Sequence, residues 1–343
     1  EHIVQRCLEK RPEDRFQSSR DLAFNLETLE RTSSSQSVGL SALSAAPDRR
    51  SLRERRWMLA AAALGLLAVG LAAALALTGR SSPPARGPVR FQVPPPPDTF
   101  FTSPERGGAA VLSPDGRTLL FVIMAESSTR LWIRPLDAVE SREVPGTDGA
   151  EYPFWSPDSR SIAFFADGAL KRVDLLGGPP QTICEAPTGR GGSWGADGTI
   201  VFAPVASGAL SRIAADGFGE PQPLTELDQS RGETSHRFPA FLEGDRRFLY
   251  LAKAISNDTE GIFVGSLDGA APRLLVPGPF NGVQAPPDRM LYPREGALVA
   301  RELDPRSAEL RGEQMLIAPT LSMATLSRGY ATFSAARGGV LAY

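Results

Sequence analysis

The chain has 343 residues, enough for more than one domain at roughly 100–200 residues each. Its 37 Lys and Arg against 39 Asp and Glu leave a formal charge of −2, which excludes the basic footprint of a nucleic-acid-binding protein. The two cysteines, Cys7 and Cys184, exclude a disulfide framework and a metal site built on Cys pairs; 33 Gly and 30 Pro imply many turns and few long helices.

Residues 1–30, "EHIVQRCLEKRPEDRFQSSRDLAFNLETLE", read as two short helices. Ile3, Val4, Cys7 and Leu8 fall on one helical face, and Arg11-Pro12 interrupts the pattern because proline disfavours helix in the residue before it. Ser18 with Asp21 three residues on has the form of a capping box, and Leu22, Leu26 and Leu29 then recur at helical spacing. Thirty residues cannot bury a core of their own, so the segment is expected to end a larger domain. A chain that starts at Glu1 rather than Met is read the same way, as a piece of a longer protein.

The wording "CLEKRPEDRFQSSRDLAFNL" resembles the last subdomain of bacterial, eukaryotic-like serine/threonine protein kinases. There a helix ending in Cys-Leu-x-Lys is followed by Pro-x-x-Arg-Phe and a final helix. The resemblance implies a structural role for Arg15, which in that family is buried against the glutamate after the activation segment. The Gly-rich loop, the phosphate-pairing lysine, the catalytic-loop aspartate and the metal-binding Asp-Phe-Gly are not in this sequence. The resemblance therefore implies a kinase remnant that turns over no ATP itself. ATP and magnesium would belong to a preceding kinase domain, and this chain is expected to hold no cofactor.

Residues 31–56 are rich in Ser, Ala and Arg without an apolar face, as in a flexible juxtamembrane linker. The run 57–77 then carries no charge. At about 1.5 Å per residue such a helix crosses a hydrocarbon core of about 30 Å. A buried core helix would show a polar face somewhere on its circumference, and a signal peptide would lie near the start of its chain. Arg49, Arg50, Arg53, Arg55 and Arg56 precede the run, whereas only Arg80 and Arg86 follow closely. The positive-inside rule then puts residues 1–56 in the cytoplasm and the rest beyond the inner membrane. Trp57 sits at the edge, and the small-residue spacings Ala61/Gly65 and Gly70/Ala74 would let two such helices approach as a homodimer. Residues 78–99 are a proline-rich, stiff spacer.

In residues 100–343 one phrase recurs. "VLSPDGRTLLFV" starts at Val111, "FWSPDSRSIAFF" at Phe154 and "SWGADGTIVFAP" at Ser193; looser copies start at Ala240, Gln284 and Phe333. Asp115, Asp158, Asp197, Asp245 and Asp288 mark steps of about 40–50 residues, the length of a four-stranded propeller blade. In the second unit the expected strands are 152–155, 161–166, 170–176 and 180–186. Pro114 and Pro157 fix φ early in the turn, the aspartates accept from backbone two residues on, and Gly116 and Gly198 supply positive φ. The repeat resembles TolB-type, WD-like β-propellers over residues 90–343. The expected fold is mostly β: about six four-stranded blades, the last incomplete through truncation, with "VRFQV" (89–93) closing the ring as its outermost strand.

"GGSWG" (191–195) matches a nucleophile elbow, but that motif needs a helix after it, and "TIVFAP" follows. Ser193 is therefore placed on a first strand, and Trp155 and Trp194 in the packing between blades. Asp115, Asp158 and Asp197 are read as turn formers rather than calcium ligands. His236 has no second ligand at a plausible spacing and is expected to pack a blade edge. No catalytic, cofactor or metal residue is assigned.

The order kinase tail, basic linker, span and propeller gives the expected function. The chain would be the sensor and anchor portion of a receptor-like serine/threonine kinase, whose propeller binds an extracytoplasmic protein or small ligand. The alternative is a membrane-tethered propeller scaffold without kinase activity. A propeller gating a hydrolase, as in prolyl-oligopeptidase-like enzymes, fits poorly with the kinase-like tail.

Overall fold

The structure, a computed structural model, describes residues 89–343 except 109, 126, 127 and 245, together with the single helical position Gly65. The kinase-like segment 1–30 with Arg15, the linker 31–56 and the rest of the apolar run 57–77 lie outside the described residues. No helix among the described residues is long and apolar enough to cross a membrane. The chain divides into two compact units, 1–90 and 91–343, and every described strand lies in the second.

The strands form a mostly antiparallel propeller with five blades of four strands. The first has β2 (Ala110–Leu112), β3 (Thr118–Ala125), β4 (Ser128–Pro135) and β5 (Arg142–Glu143), with the short β1 (Phe100–Phe101) pairing the far end of β3 in line with β2. The second has β6 (Glu151–Trp155), β7 (Ser161–Ala166), β8 (Ala169–Asp174) and β9 (Gln181–Glu185). The third has β10 (Gly192–Trp194), β11 (Thr199–Phe202), β12 (Ser211–Ala214) and β13 (Gln222–Pro223). The fourth has β14 (Glu233–Phe241), β15 (Arg247–Ala254), β16 (Gly261–Ser266) and β17 (Arg273–Pro277), and the fifth has β18 (Val283–Ala285), β19 (Arg289–Arg294), β20 (Ala297–Asp304) and β21 (Glu309–Ala318). A final pair, β22 (Ser334–Ala336) and β23 (Val340–Ala342), makes a two-stranded sheet.

Five four-stranded blades are present, and the last repeat, expected to be incomplete, contributes only the β22–β23 pair. One expectation is corrected here. Residues 89–93 form no strand, so they do not close the ring by pairing. Val93 instead packs against the apolar layer of Leu112, Phe121 and Ala336. In the second blade the expected third strand ends two residues early, because a turn closes from Gly177 N–H to the Asp174 carbonyl (3.2 Å).

Alternation along the second strand of each blade builds the core. In β7, Ile162, Phe164 and Ala166 face the first blade while Ala163 and Phe165 face the third. Each gap between neighbouring sheets is filled in this way. Val201 and Leu210 meet Phe248 and Tyr250, and Leu249 and Ile262 meet Met290 and Val299. The β22–β23 pair is held by two such layers: Phe333 and Leu341 against Leu291 and Leu298, and Ala336 with Val340 against Leu112 and Phe121.

The inner strands carry the closure. Each is an edge strand whose hub-facing backbone groups have no ladder partner. Neighbouring blades supply partners. The Leu112 N–H donates to Ser334 Oγ (3.0 Å), Phe241 N–H to Ser193 Oγ (3.0 Å) and Glu243 N–H to Gln284 Oε1 (2.7 Å). Trp155 Nε1–H donates to the Val111 carbonyl (3.1 Å). The Ser334–Leu112 bond joins the last repeat to the first across 222 positions of sequence. Ser334→Ala, which orphans a buried N–H, is expected to cost about 1–3 kcal/mol in urea unfolding, whereas alanine at the exposed Ser322 changes stability by no more than about 0.5 kcal/mol.

Candidate functional site

The inner strands surround a hub cavity of about 520 Å³. The turns that follow those strands give it one end, including Pro114, Asp158, Pro286 and Arg337. At the other end lie Tyr152, Phe238 and Tyr330, three rings packed on one another with centroids 4.8–5.6 Å apart.

A loop between β21 and β22 delivers Tyr330. It folds on itself through Ala324 N–H to the Tyr330 carbonyl (2.7 Å) and Gly329 N–H to the Thr325 carbonyl (3.0 Å). A buried and a half-buried cation hold its carbonyls: Lys253 Nζ donates to Leu326 O (2.8 Å), and Arg237 donates to Ser327 O (2.8 Å) and Arg328 O (3.1 Å). Asn281 Oδ1 accepts from Ala331 N–H (2.7 Å), and Glu105 accepts from the Thr325 N–H. The loop is thus attached to the first, fourth and fifth blades and closes one end of the hub.

The other two rings stand on strained backbone. Tyr152 (φ 46°) and Phe238 (φ 51°) both adopt the left-handed region, each just before a proline and each where β6 or β14 slips register against its neighbour. Such a conformation costs on the order of 1–3 kcal/mol for a non-glycine residue. It turns each N–H toward the preceding blade: Tyr152 donates to Gly107 O (3.1 Å) and Phe238 to Arg190 O (2.9 Å). Close approach also demands glycine there, since a Cβ on Gly191 would lie 2.9 Å from the Phe238 ring.

The repeated turns have one construction. Ser113 Oγ donates to Asp115 Oδ1 (2.5 Å), which also accepts from Arg117 N–H (3.0 Å). Ser156 and Asp158 repeat this at 2.6 Å, with Arg160 N–H at 3.1 Å. At Asp197 only the backbone bond from Thr199 (2.9 Å) is present, because Gly195 replaces the serine. For Asp115, burial raises the pKa, but the Ser113 hydroxyl and Arg117 N–H together hold it below the usual value. For Asp158 the Ser156 hydroxyl is the largest influence and has the same effect. Each carboxylate is engaged within its own turn. Trp155 is buried between the first two blades, and Trp194 is half-buried between the second and third while also lining the hub.

No family model matches the chain, and no curated protein does. Among solved structures it is similar to TolB from Acinetobacter baumannii, with a TM-score of 0.51, 12% identity and coverage of 65% of this chain. The fold is that of a TolB-like β-propeller. The chain spans 55% of the length of that Acinetobacter protein. A TolB described as putative, from Agrobacterium tumefaciens, matches at 16% identity over 62% of this chain and 83% of its own, with a TM-score of 0.45.

Within this TolB-like propeller, Ser193 lies on an inner strand and its hydroxyl accepts the Phe241 N–H; strand β11 follows rather than a helix. Cys184 is half-buried on the outer strand β9, where burial pushes its thiol up to about 11. Among the described residues no group of three or more His, Cys, Asp or Glu could hold a metal ion. Tyr152, Phe238, Tyr330, Arg237 and Lys253 were not legible as hub residues in the sequence. The parallel phrases "YPF" and "FPA" at matching blade positions are the one signal that could have found the first two.

His236 lies on the inner strand β14, the hub-side edge of the fourth blade, and is 1% exposed. Its Nε2 lies 3.0 Å from Glu233 Oε2 and its Nδ1 2.8 Å from Thr225 Oγ1, which accepts the Leu210 N–H at 2.9 Å. A neutral ring with its proton on Nε2 satisfies all three groups. Burial holds its pKa below the ordinary 6.5 and outweighs the raising effect of Glu233. As pH falls below 6.5, the unfolded chain takes up a proton that the folded one still refuses. This contribution to stability is therefore complete above pH 6.5 and is lost as pH falls through the depressed folded pKa. Urea unfolding should show lower stability near pH 5.5 than near pH 7.5, and His236→Gln should flatten that difference.

Proposed function

We propose that the chain is the sensor and anchor portion of a receptor-like membrane serine/threonine kinase. In this reading residues 57–77 span the inner membrane, residues 1–56 are cytoplasmic, and the propeller binds an extracytoplasmic protein or small ligand. The observation that carries the binding role is the hub: a cavity of about 520 Å³ with an aromatic floor held by a stapled loop and a rim of turns from successive blades. A site on rigid strands, with exposed turns around it, suits recognition rather than chemistry. The kinase-like wording of residues 1–30 and the arginine-flanked apolar run support the anchoring and signalling parts. A single helix has no second state of its own, so a signal would pass by a change in self-association or partner.

A tethered scaffold without kinase activity is the second reading. The TolB-like fold alone is consistent with protein–protein interaction and requires no enzyme behind it. Both readings share the topology, which is tested by adding protease to cells with a permeabilised outer membrane. The propeller is expected to be cut away while a fragment containing residues 1–56 stays protected. A propeller protected until the inner membrane is lysed, together with a whole chain that is soluble without detergent, would overturn both. Phosphorylation of the cytoplasmic portion that responds to deletion of residues 100–343 in the longest native reading frame would then favour the kinase sensor over the scaffold.

A further inference from the structure

Behind the aromatic floor, on the side of the closing loop, two buried donors lack acceptors. Tyr152 is 3% exposed, and its hydroxyl oxygen is approached by Arg328 while its own proton has no acceptor. Arg190 lies over the same ring, with its Cζ 5.8 Å from the ring centre, and its buried Nε–H is also without a partner. Arg190 Nη1 donates to the Gly189 (2.8 Å) and Thr188 (3.3 Å) carbonyls. An unpaired buried donor costs about 1–3 kcal/mol, so two on adjacent side chains call for an acceptor.

Charge at this point is in cationic excess. Arg328, on the closing loop, acts on the Tyr152 hydroxyl, and its one ion pair among the described residues is a long contact to Glu105 (3.7 Å). Arg237 directs its fork at carbonyls and the Ser235 hydroxyl, and its pKa is depressed by burial and then by the charge of Arg190. Neither Arg190 nor Arg237 forms an ion pair among the described residues. Of the acids nearby, Glu260 is paired with Lys253 (2.5 Å), and Glu105 accepts from Thr325 beside its long contact to Arg328. Glu151, next to Tyr152 in sequence, is a negative charge that acts to raise the phenol pKa.

We propose that Tyr152, Arg190 and Arg328 form a site for a small monovalent anion, chloride or a small carboxylate, which ties the closing loop to the second and third blades. The phenol and Nε–H supply directed donors, and the guanidinium charges supply the selectivity for an anion over water. Because Arg328 lies on the loop and the other two groups on the ring, occupancy stabilises the closed hub floor.

The test is thermal unfolding of the whole chain in detergent, titrated with sodium chloride or sodium formate against sodium gluconate at constant ionic strength. A saturable rise in Tm is expected, about 5–10 °C at a hundredfold excess over Kd. Tyr152→Phe keeps the ring and its packing but removes the donor, and should raise the half-saturating concentration about tenfold. Should that variant fail to fold, Arg190→Gln serves in its place with the same expectation. A Tm that does not saturate with either anion, or variants that respond as the parent does, would overturn the site and leave the hub's binding role untouched.

Discussion

The innermost strand of every blade has an edge with no strand beside it, and everything else in this propeller depends on how that edge is satisfied. A row of unpaired N–H and C=O groups facing a hub is costly when buried and sticky when exposed. Here the groups are met by a neighbouring blade: a serine hydroxyl at 193 and 334, an amide oxygen at 284, and main-chain carbonyls at 107 and 190. The apolar layers between sheets supply most of the burial, but they are non-directional. The cross-blade bonds fix the rotation of one sheet relative to the next.

The same bonds explain where strain is tolerated. Tyr152 and Phe238 take positive φ because only then do their N–H groups reach the preceding blade and their rings meet over the hub. Glycine at 107 and 191 makes room for that approach. The closing loop then adds Tyr330 to the pair and is held by Lys253 and Arg237, whose charges sit on loop carbonyls. A binding hub with one stapled end follows from these contacts, with the turns of the repeats left at the other. The polar cluster of His236, Glu233, Thr225 and Arg231 at the start of β14 also accepts the Leu210 and Asp228 N–H groups.

Much of the fold could be read from the chain because it rests on local chemistry. The Ser-Pro-Asp wording writes a turn, and the alternating Ile-Ala-Phe-Phe that follows writes a strand with two buried faces, so β7 was placed to the residue at 161–166. What could not be read is long-range. Nothing near Ser334 indicates that it meets Leu112, and nothing in 89–93 indicates that its Val93 packs against the first blade's apolar layer rather than pairing as a strand. The hub was hidden for the same reason: Tyr330 lies in an irregular loop without repeat character, and it meets Tyr152 only after the ring is built.

The central claim is that cross-blade bonds on the inner strands make one cooperative ring. Native-state hydrogen exchange at Leu112, Tyr152, Phe238 and Phe241, followed through increasing urea, tests it most directly. The account predicts that these four amides open with one free energy and fall together, at the cost of global unfolding. Exchange at Leu112 through a separate, cheaper opening while Phe238 stays protected would contradict it, and would mean that the blades are merely stacked.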